Sequence, residues 1–235
     1  MKVTYYGHSC FSVLANDKHI LFDPYITPNE LAAAIDVDEI KADYIFVSHA
    51  HYDHITDVVR IANTTGAKVI GNFEIYSWLI ENGIQNSFPM NPGGKFDFDF
   101  GTVKCVTAQH SSSFADGRYG GIACGFVFTT LDGNFYYSGD TALTNDMQLI
   151  PNWATLDFAV LPIGDLLTMG VEEAIEAAKY VGVNKVFGVH YDTFGFIKMD
   201  HQKAEQDFNT AGLSLFLPPI GCSFEIKDNV KPDCT

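Results

Sequence analysis

Three histidines and an aspartate lie within six residues, in the segment His49-Ala50-His51-Tyr52-Asp53-His54. Imidazole and carboxylate groups are the ligands that suit Zn²⁺, Mn²⁺ or Fe²⁺. A solvated loop needs turn formers such as glycine or asparagine, and turning does not require three histidines around a carboxylate. The segment therefore predicts a metal site in preference to a plain polar loop.

Residues 42–48, which precede this segment, are apolar, aromatic and β-branched and predict a buried strand. Because residues two apart in an extended segment point the same way, His49 and His51 can share one ion. Asp53 and His54 lie on the following turn and fit a second ion. Two-metal hydrolytic sites place their ions roughly 3.5–4 Å apart, so the chain must supply further ligands.

Three later residues, each at or after the end of a predicted strand, are the further candidates: His110, Asp140 and His190. α/β folds tend to place their chemistry at strand ends. Asp140 could instead cap the segment that follows it, which aspartate does well. The predicted set is His49, His51 and His110 for one ion, Asp53, His54 and His190 for the other, and Asp140 between them.

Other polar residues have two interpretations each. His8 either reaches the site, where an imidazole suits proton transfer near neutral pH, or is structural. Arg118, in the polar loop after His110, either meets an anionic substrate group or is merely solvated. Asp165 and Thr168 are candidate substrate or supporting groups, and Asp165 could equally cap a helix that begins near Thr168. The plainer interpretation is preferred for two further residues, a turn for Asp23 and a surface position for His201.

The 235 residues are 47% hydrophobic and 14% aromatic, which predicts one globular domain with a large core. We expect this domain to span residues 1–228 and to be followed by a short tail, residues 229–235. The formal net charge of −15 argues against a nucleic-acid surface, because phosphate binding depends on clustered Lys and Arg. No signal peptide or membrane-spanning stretch is evident, so a cytoplasmic protein is expected.

The element pattern predicts an opening hairpin that turns at Asn16-Asp17, followed by alternating strands and helices. Such alternation predicts βαβ units with largely parallel pairing. Five cysteines without a C-x-x-C pair argue against a disulfide framework and for mostly reduced thiols. The predicted helices cover residues 28–40, 56–65, 73–82, 168–180 and 199–211.

Four features together resemble the metallo-β-lactamase superfamily over nearly the whole chain. They are the H-x-H-x-D-H segment, a later strand-end histidine, the S-G-D-T segment and a last strand-end histidine. G-H-S-x-F at residues 7–11 and P-I-G-D-x-x-T-M at residues 162–169 resemble its small metal-dependent hydrolases, related to the L-ascorbate-6-phosphate lactonases. The resemblance implies an α/β fold, a four-layer αβ/βα sandwich of two mixed sheets flanked by helices, with a dinuclear site at one edge. Relatives often have glycine where this chain has Ala50, Tyr52 and Thr56, and Tyr52 could narrow the site.

The leading hypothesis is a hydrolase in which two divalent ions activate a hydroxide that cleaves an ester, lactone or phosphodiester of a small molecule. Zn²⁺ is the first choice of metal, with Mn²⁺, Fe²⁺ or Ni²⁺ as alternatives. Asp53 would also orient the nucleophile. The alternatives are a di-iron oxidoreductase of the same fold, whose members typically have glutamate at the position of His51, and a metal-binding protein without turnover.

Apolar helices such as residues 171–180 could also form the interface of a homo-oligomer.

Overall fold

The structure is a computed structural model that describes residues 1–226 and residue 234. Its strands are β1 (Lys2–Gly7), β2 (Cys10–Ala15), β3 (Lys18–Phe22), β4 (Tyr44–Phe46), β5 (Lys68–Gly71), β6 (Ser87–Pro89), β7 (Lys95–Phe98), β8 (Gly101–Thr107), β9 (Cys124–Thr130), β10 (Gly133–Tyr137), β11 (Phe158–Pro162), β12 (Lys185–Val189), β13 (Ser214–Phe216) and β14 (Ser223–Glu225). Its α-helices are α1 (Tyr52–Ile55), α2 (Val58–Thr65), α3 (Phe73–Glu81), α4 (Val171–Val181) and α5 (His201–Thr210).

The strands form two mixed sheets of seven strands each. The first sheet has the order β14-β1-β2-β3-β4-β5-β6, and β3 to β6 are parallel to one another. The second has the order β13-β12-β11-β10-β9-β8-β7, in which β10 to β13 are parallel. The predicted βαβ units are confirmed in both sheets, and Asn16 and Asp17 form the turn of the β2–β3 hairpin with positive φ angles, as predicted.

The two sheets pack face to face through phenylalanine side chains. Phe46 of the first sheet lies 5.0 Å from Phe128 of the second, and Phe22 lies 5.3 Å from the same ring, both edge to face. Such pairs stabilise a core beyond the area that they bury, by about 0.5–1.5 kcal/mol each. Helices α2 and α3 pack on the first sheet, and α4 and α5 on the second. The predicted four-layer αβ/βα sandwich is therefore confirmed.

The predicted helix over residues 28–40 is wrong. The structure has two 3-10 helices there, Glu30–Ala32 and Val37–Glu39. The side chain of Asn29 accepts a hydrogen bond from Leu31 N, and that of Asp36 accepts one from Asp38 N. These local bonds compete with helical pairing and divide the segment into short turns.

The other four predicted helices exist; α3 begins at Phe73, as predicted, and the remaining three begin later than predicted. α2 begins at Val58 instead of residue 56, because a separate short helix, α1, carries the end of the histidine motif. α4 begins at Val171 instead of residue 168, after Gly170. α5 begins at His201, with Asp200 as its N-cap. None of the helices in residues 1–226 is both long and apolar enough to cross a membrane.

The cysteines depart in part from the prediction of reduced thiols. Cys10, Cys105 and Cys124 are free and buried, as expected. Cys222 and Cys234 form a disulfide, so the prediction is wrong for this pair. The two cysteines are twelve residues apart in the sequence and form no C-x-x-C motif. The boundary predicted at residue 228, and the tail 229–235 apart from Cys234, lie outside the described residues.

Candidate metal centre

The seven predicted ligands meet at one edge of the sandwich, because each lies beyond the carboxyl end of a strand. His49 follows β4, and His110, Asp140 and His190 follow β8, β10 and β12. β10 and β12 run parallel through β11, and β8 is parallel to β10 through the antiparallel β9. Parallel strands bring their carboxyl ends to the same edge of a sheet. The topology therefore brings together residues that are up to 141 positions apart in the sequence.

The first cluster consists of His49, His51 and His110, whose nitrogen atoms lie within 4.8 Å of one another. Nε2 of His49 faces Nδ1 of His51 across 2.9 Å. The other nitrogens point to hydroxyls: His49 Nδ1 lies 2.9 Å from Ser48 Oγ, and His51 Nε2 lies 3.3 Å from Ser111 Oγ. If these outer nitrogens carry the protons, both inner nitrogens present lone pairs to the same point.

The second cluster consists of Asp53, His54 and His190. Oδ2 of Asp53 lies 3.8 Å from Nε2 of each histidine. Asp140 stands between the two clusters, with Oδ2 at 3.0 Å from His190 Nε2, 3.2 Å from His54 Nε2, 3.7 Å from His110 Nε2 and 3.9 Å from His49 Nε2. This oxygen thus lies within 3.9 Å of nitrogens from both clusters.

His8 joins the second cluster from β1. Its Nε2 lies 3.0 Å from Asp53 Oδ2 and its Nδ1 lies 3.0 Å from Thr193 Oγ1. Its ring is 4.2 Å from that of His190, and the residue is 1% exposed. Since a carboxylate only accepts, Nε2 carries a proton and donates it to Asp53. Of the two interpretations of His8, the structure therefore places it at the site.

Asp23 is the residue at the centre that sequence reasoning missed. It is fully buried, and its Oδ2 lies 2.9 Å from Nδ1 of His54. It accepts further hydrogen bonds from Ser48 N and Oγ and from Tyr137 Oη. A carboxylate behind a histidine fixes the ring and turns its other nitrogen toward a metal. Asp23 directly follows β3, so the strand-end rule that found His110 could have found it too.

The backbone is held in uncommon conformations at the centre. His8, Asp23 and His190 have φ angles of 56°, 39° and 56°, in the left-handed region that costs free energy for residues other than glycine. Gly139, before Asp140, has φ 61°, and a Cβ there would lie 2.5 Å from Cys124 O and 2.8 Å from Ser48 Cβ. A glycine is therefore required for Asp140 to approach the two clusters.

The two clusters differ in charge. Burial holds the pKa of His49 well below its ordinary value, lowers the pKa of His51 and lowers that of His110 to about 4. The first cluster is thus three neutral imidazoles, the form that binds a metal. In the second cluster burial opposes ionisation, but Asp140 outweighs it, raising the pKa of His190 to about 9 and that of His54 well above its usual range.

The carboxylates of the centre remain ionised despite their burial. Against the cost of burial, His54 and His190 hold the pKa values of Asp53 and Asp140 well below the ordinary range. Protons on the two histidines thus compensate the two carboxylates. A divalent cation supplies the same positive charge, and its binding would release those protons.

The residues present fit divalent ions. Nε2 of His54 and Oδ1 of Asp140 are buried and find no hydrogen-bond partner among the described residues. A buried polar atom without a partner costs about 1–3 kcal/mol, and a bound cation would remove that cost. His54 Nε2, His190 Nε2 and Asp53 Oδ2 could hold one ion, and the three nitrogens of the first cluster another. Histidine with aspartate is a donor set that suits Zn²⁺ and similar metals.

The three predicted substrate residues make local contacts. Arg118 is 53% exposed at its side chain and bonds Asp116 and Glu81 at 2.8 and 2.9 Å. Oδ1 of Asp165 accepts from Leu166 N within its own turn, and it does not cap α4. Thr168 Oγ1 donates to Met169 O. These contacts give each side chain a local structural partner, and a substrate role for them stays a prediction.

His201, which we expected at the surface, is half-exposed and pairs with Asp192. The two side chains approach to 2.7 Å at the start of α5.

A cavity of about 730 Å³ opens beside His110, lined also by Gln109, Thr144 and Tyr180. Cavities of this size hold small molecules.

A family model described as the β-lactamase superfamily domain matches residues 18–191. The chain belongs to this superfamily, and it is a metal-dependent hydrolase. It is 50% identical to the UPF0173 metal-dependent hydrolase of Flavobacterium johnsoniae over 226 residues, 96% of this chain and 100% of the relative.

Solved structures share the fold. Igni18, a metallo hydrolase from the archaeon Ignicoccus hospitalis, is 34% identical with a TM-score of 0.85, over 95% of this chain and 98% of that one. CmlA, a diiron β-hydroxylase from Streptomyces venezuelae, has a TM-score of 0.70 at 12% identity, over 95% of this chain and 53% of that one. The second likeness shows a shared fold alone.

Proposed function

We propose that the protein hydrolyses an ester, lactone or phosphodiester bond of a small molecule, with two divalent ions, most simply Zn²⁺, held by the first and second clusters. The observation that carries the proposal is the position of Asp140. One of its oxygens lies within 3.9 Å of an inner nitrogen from each cluster, as a ligand shared by two ions requires. The cavity of about 730 Å³ beside His110 supports a small-molecule substrate.

The chemistry of the bound ions would be Lewis acidity, which activates water near neutral pH and stabilises negative charge on the scissile group. The chain's own residues position this chemistry. Asp23 fixes the ring of His54 through Nδ1. Because His8 donates to Oδ2 of Asp53, the carboxylate has a defined orientation within the second cluster. Asp53 is thus both a proposed ligand and the group that orients the nucleophile.

His8 acts in this proposal as a positioning residue. Thr193 holds Nδ1 of its ring and Asp53 receives its Nε2 proton, so both ends of the imidazole are fixed. Burial and the neighbouring His190 lower the pKa of His8 to about 4, which keeps it neutral. A neutral imidazole can donate from Nε2 without adding positive charge beside an ion.

The test is elemental analysis of the purified protein, paired with hydrolysis of 4-nitrophenyl esters, thioesters, lactones and bis(4-nitrophenyl) phosphate before and after chelation. We expect close to two metals per chain and turnover that chelation abolishes and metal restores. One metal at saturation would overturn the dinuclear assignment. Two irons with oxygen consumption and no hydrolysis would favour the oxidoreductase alternative.

A further inference from the structure

Four aromatic rings extend outward from His8 on the second-cluster side of the centre. We define the aromatic wall as Tyr25, Tyr52, Phe194 and Phe196. The ring of His8 lies 5.6 Å from that of Tyr25 and 5.4 Å from that of Phe194, edge to face in both cases. Tyr52 packs on Tyr25 at 5.7 Å, and Phe196 stacks on Phe194 at 5.6 Å. The wall is therefore continuous with a residue that contacts Asp53.

Exposure increases along the wall from the metal centre to solvent. Tyr25 is buried and Phe194 is partly buried, whereas Tyr52 is 52% and Phe196 60% exposed. Large exposed rings at the rim of a reactive site are costly to leave in water, and burying them against a ligand is favourable. The outer two rings thus offer a surface for the part of a substrate that projects from the metals.

The loop that carries Phe194 and Phe196 is fixed in place. Asp192 N donates to Ile197 O, and Asp192 Oδ1 accepts from Met199 N, which closes the loop at its base. Thr193 ties the same loop to His8. The wall therefore needs little ordering on binding, which favours affinity.

The size of the exposed surface favours a small molecule over a protein. A stable protein interface needs about 800 Å² from each partner, whereas one aromatic side chain buries about 150–250 Å². The two half-exposed rings, Tyr52 and Phe196, fall well short of a protein interface, and each is about the size of one planar group.

The charge near the wall argues against a densely anionic substrate. The wall contributes only aromatic side chains, and burial, Tyr52, Asp53 and Asp57 all raise the pKa of Tyr25, which places two carboxylates near the wall. Arg118, the cation predicted to meet an anion, is held by Asp116 and Glu81. A sugar phosphate would find little compensation at this rim.

On the basis of the proposed function, we infer that the substrate carries an apolar aromatic group that packs on the exposed part of the aromatic wall, chiefly on Phe196, while its hydrolysable group meets the metal centre. Aromatic rings prefer edge-to-face or offset contacts with other rings, which a saturated ring cannot reproduce. The wall therefore selects for an aryl-bearing ester or lactone.

The test measures binding, so it does not depend on turnover. The zinc-loaded protein is titrated calorimetrically with 3-phenylpropanoate, 3-cyclohexylpropanoate and propanoate, which share a carboxylate and differ in the group beyond it. We expect the phenyl compound to bind about tenfold more tightly than propanoate and more tightly than the cyclohexyl compound. Phe196→Ala should remove most of this preference, with its metal content unchanged by elemental analysis.

Phe96→Ala is the matched control, because Phe96 is a partly exposed ring on β7 that contacts Phe88 and Phe98 and not the wall. It should keep the phenyl preference. Equal affinities for the phenyl compound and propanoate in the parent protein would overturn the inference. So would equal affinities for the phenyl and cyclohexyl compounds, or a preference that survives both Phe196→Ala and Tyr52→Leu.

The two proposals fail in different ways. A phenyl preference without hydrolysis of any substrate would retain the aromatic wall and remove the hydrolytic mechanism. Hydrolysis that chelation abolishes, without a phenyl preference, would retain the mechanism and remove the wall.

Discussion

The first and second clusters of the metal centre differ in their side chains and in how the fold supports them. The first is three neutral imidazoles, two of them partly exposed, supported by the hydroxyls of Ser48 and Ser111. The second combines a carboxylate with two imidazoles whose pKa values are raised, and Asp23 and His8 brace it from opposite sides. Asp23 and His8 therefore contact the second cluster directly, whereas Asp23 reaches the first cluster only through the hydroxyl of Ser48.

This difference has a physical reason. Three neutral imidazoles need little compensation and can stand near solvent without penalty. Ionised Asp53 and Asp140 are costly to bury, and each must be compensated by protonated histidine or by a cation. The buried charges thus require a preorganised surrounding, and the supporting residues concentrate where the charge is. We therefore expect substitutions to change metal binding differently in the first and second clusters.

The largest effect is expected from Asp140→Asn, which removes the one charge that both clusters share. Asparagine keeps the size of the side chain, so the fold should persist. Metal content should fall to one ion or fewer per chain, and kcat/KM for the preferred generic substrate should fall at least about a hundredfold. Elemental analysis, with circular dichroism to check the fold, measures this. Full occupancy would show that Asp140 is not a ligand.

His110→Ala should affect the first cluster alone. The side chain is 13% exposed at the mouth of the cavity, so its removal leaves the core intact. One ion should be lost while the second cluster stays loaded, and activity should be largely abolished. Titration with Co²⁺ counts the remaining sites. Loss of both ions would mean that the two clusters bind metal as one unit. The proposed difference between the clusters would then be wrong.

Asp23→Asn should affect the second cluster more than the first, because Asp23 contacts His54 directly and His49 only through the hydroxyl of Ser48. Residues behind a metal-binding histidine typically change metal affinity by about 10- to 100-fold, so one of two dissociation constants should rise by that factor. Asp57→Asn is the matched control, because Asp57 is a buried aspartate that bonds Ile26 N and Thr27 N without contacting the centre. That variant should lower thermal stability and leave both metal affinities as in the parent.

The smallest effect is expected from His8→Gln, which weakens the bond that orients Asp53. We expect kcat/KM to fall about tenfold, a loss near 1.4 kcal/mol, mainly in kcat and with both ions retained. His201→Gln is the control, since His201 pairs with Asp192 in the same way outside the centre. Equal activity losses in the two variants would assign His8 a purely structural role.

Much of the fold follows from local pattern. Apolar runs predicted the strands, and their alternation with helices predicted parallel pairing, since both depend on residues close in sequence. The segment from residue 28 to 40 was mispredicted because the side-chain bonds of Asn29 and Asp36 override an apolar stripe. The disulfide of Cys222 and Cys234 was missed because the pair forms no C-x-x-C motif and an odd number of cysteines favours reduced thiols.

The sequence by itself determined which residue types follow the ends of β4, β8, β10 and β12, and hence the superfamily and the seven candidate ligands. Those residues need only a strand end and a metal-binding side chain, and both are visible in the chain. Tertiary structure alone decided that Asp23 lies behind His54, that Arg118 is held by Asp116 and Glu81, and that four rings from three segments form one wall. Apart from the local pair of Arg118 and Asp116, these contacts join segments that are remote in sequence, and such segments meet only when the strands pair and the connecting loops pack.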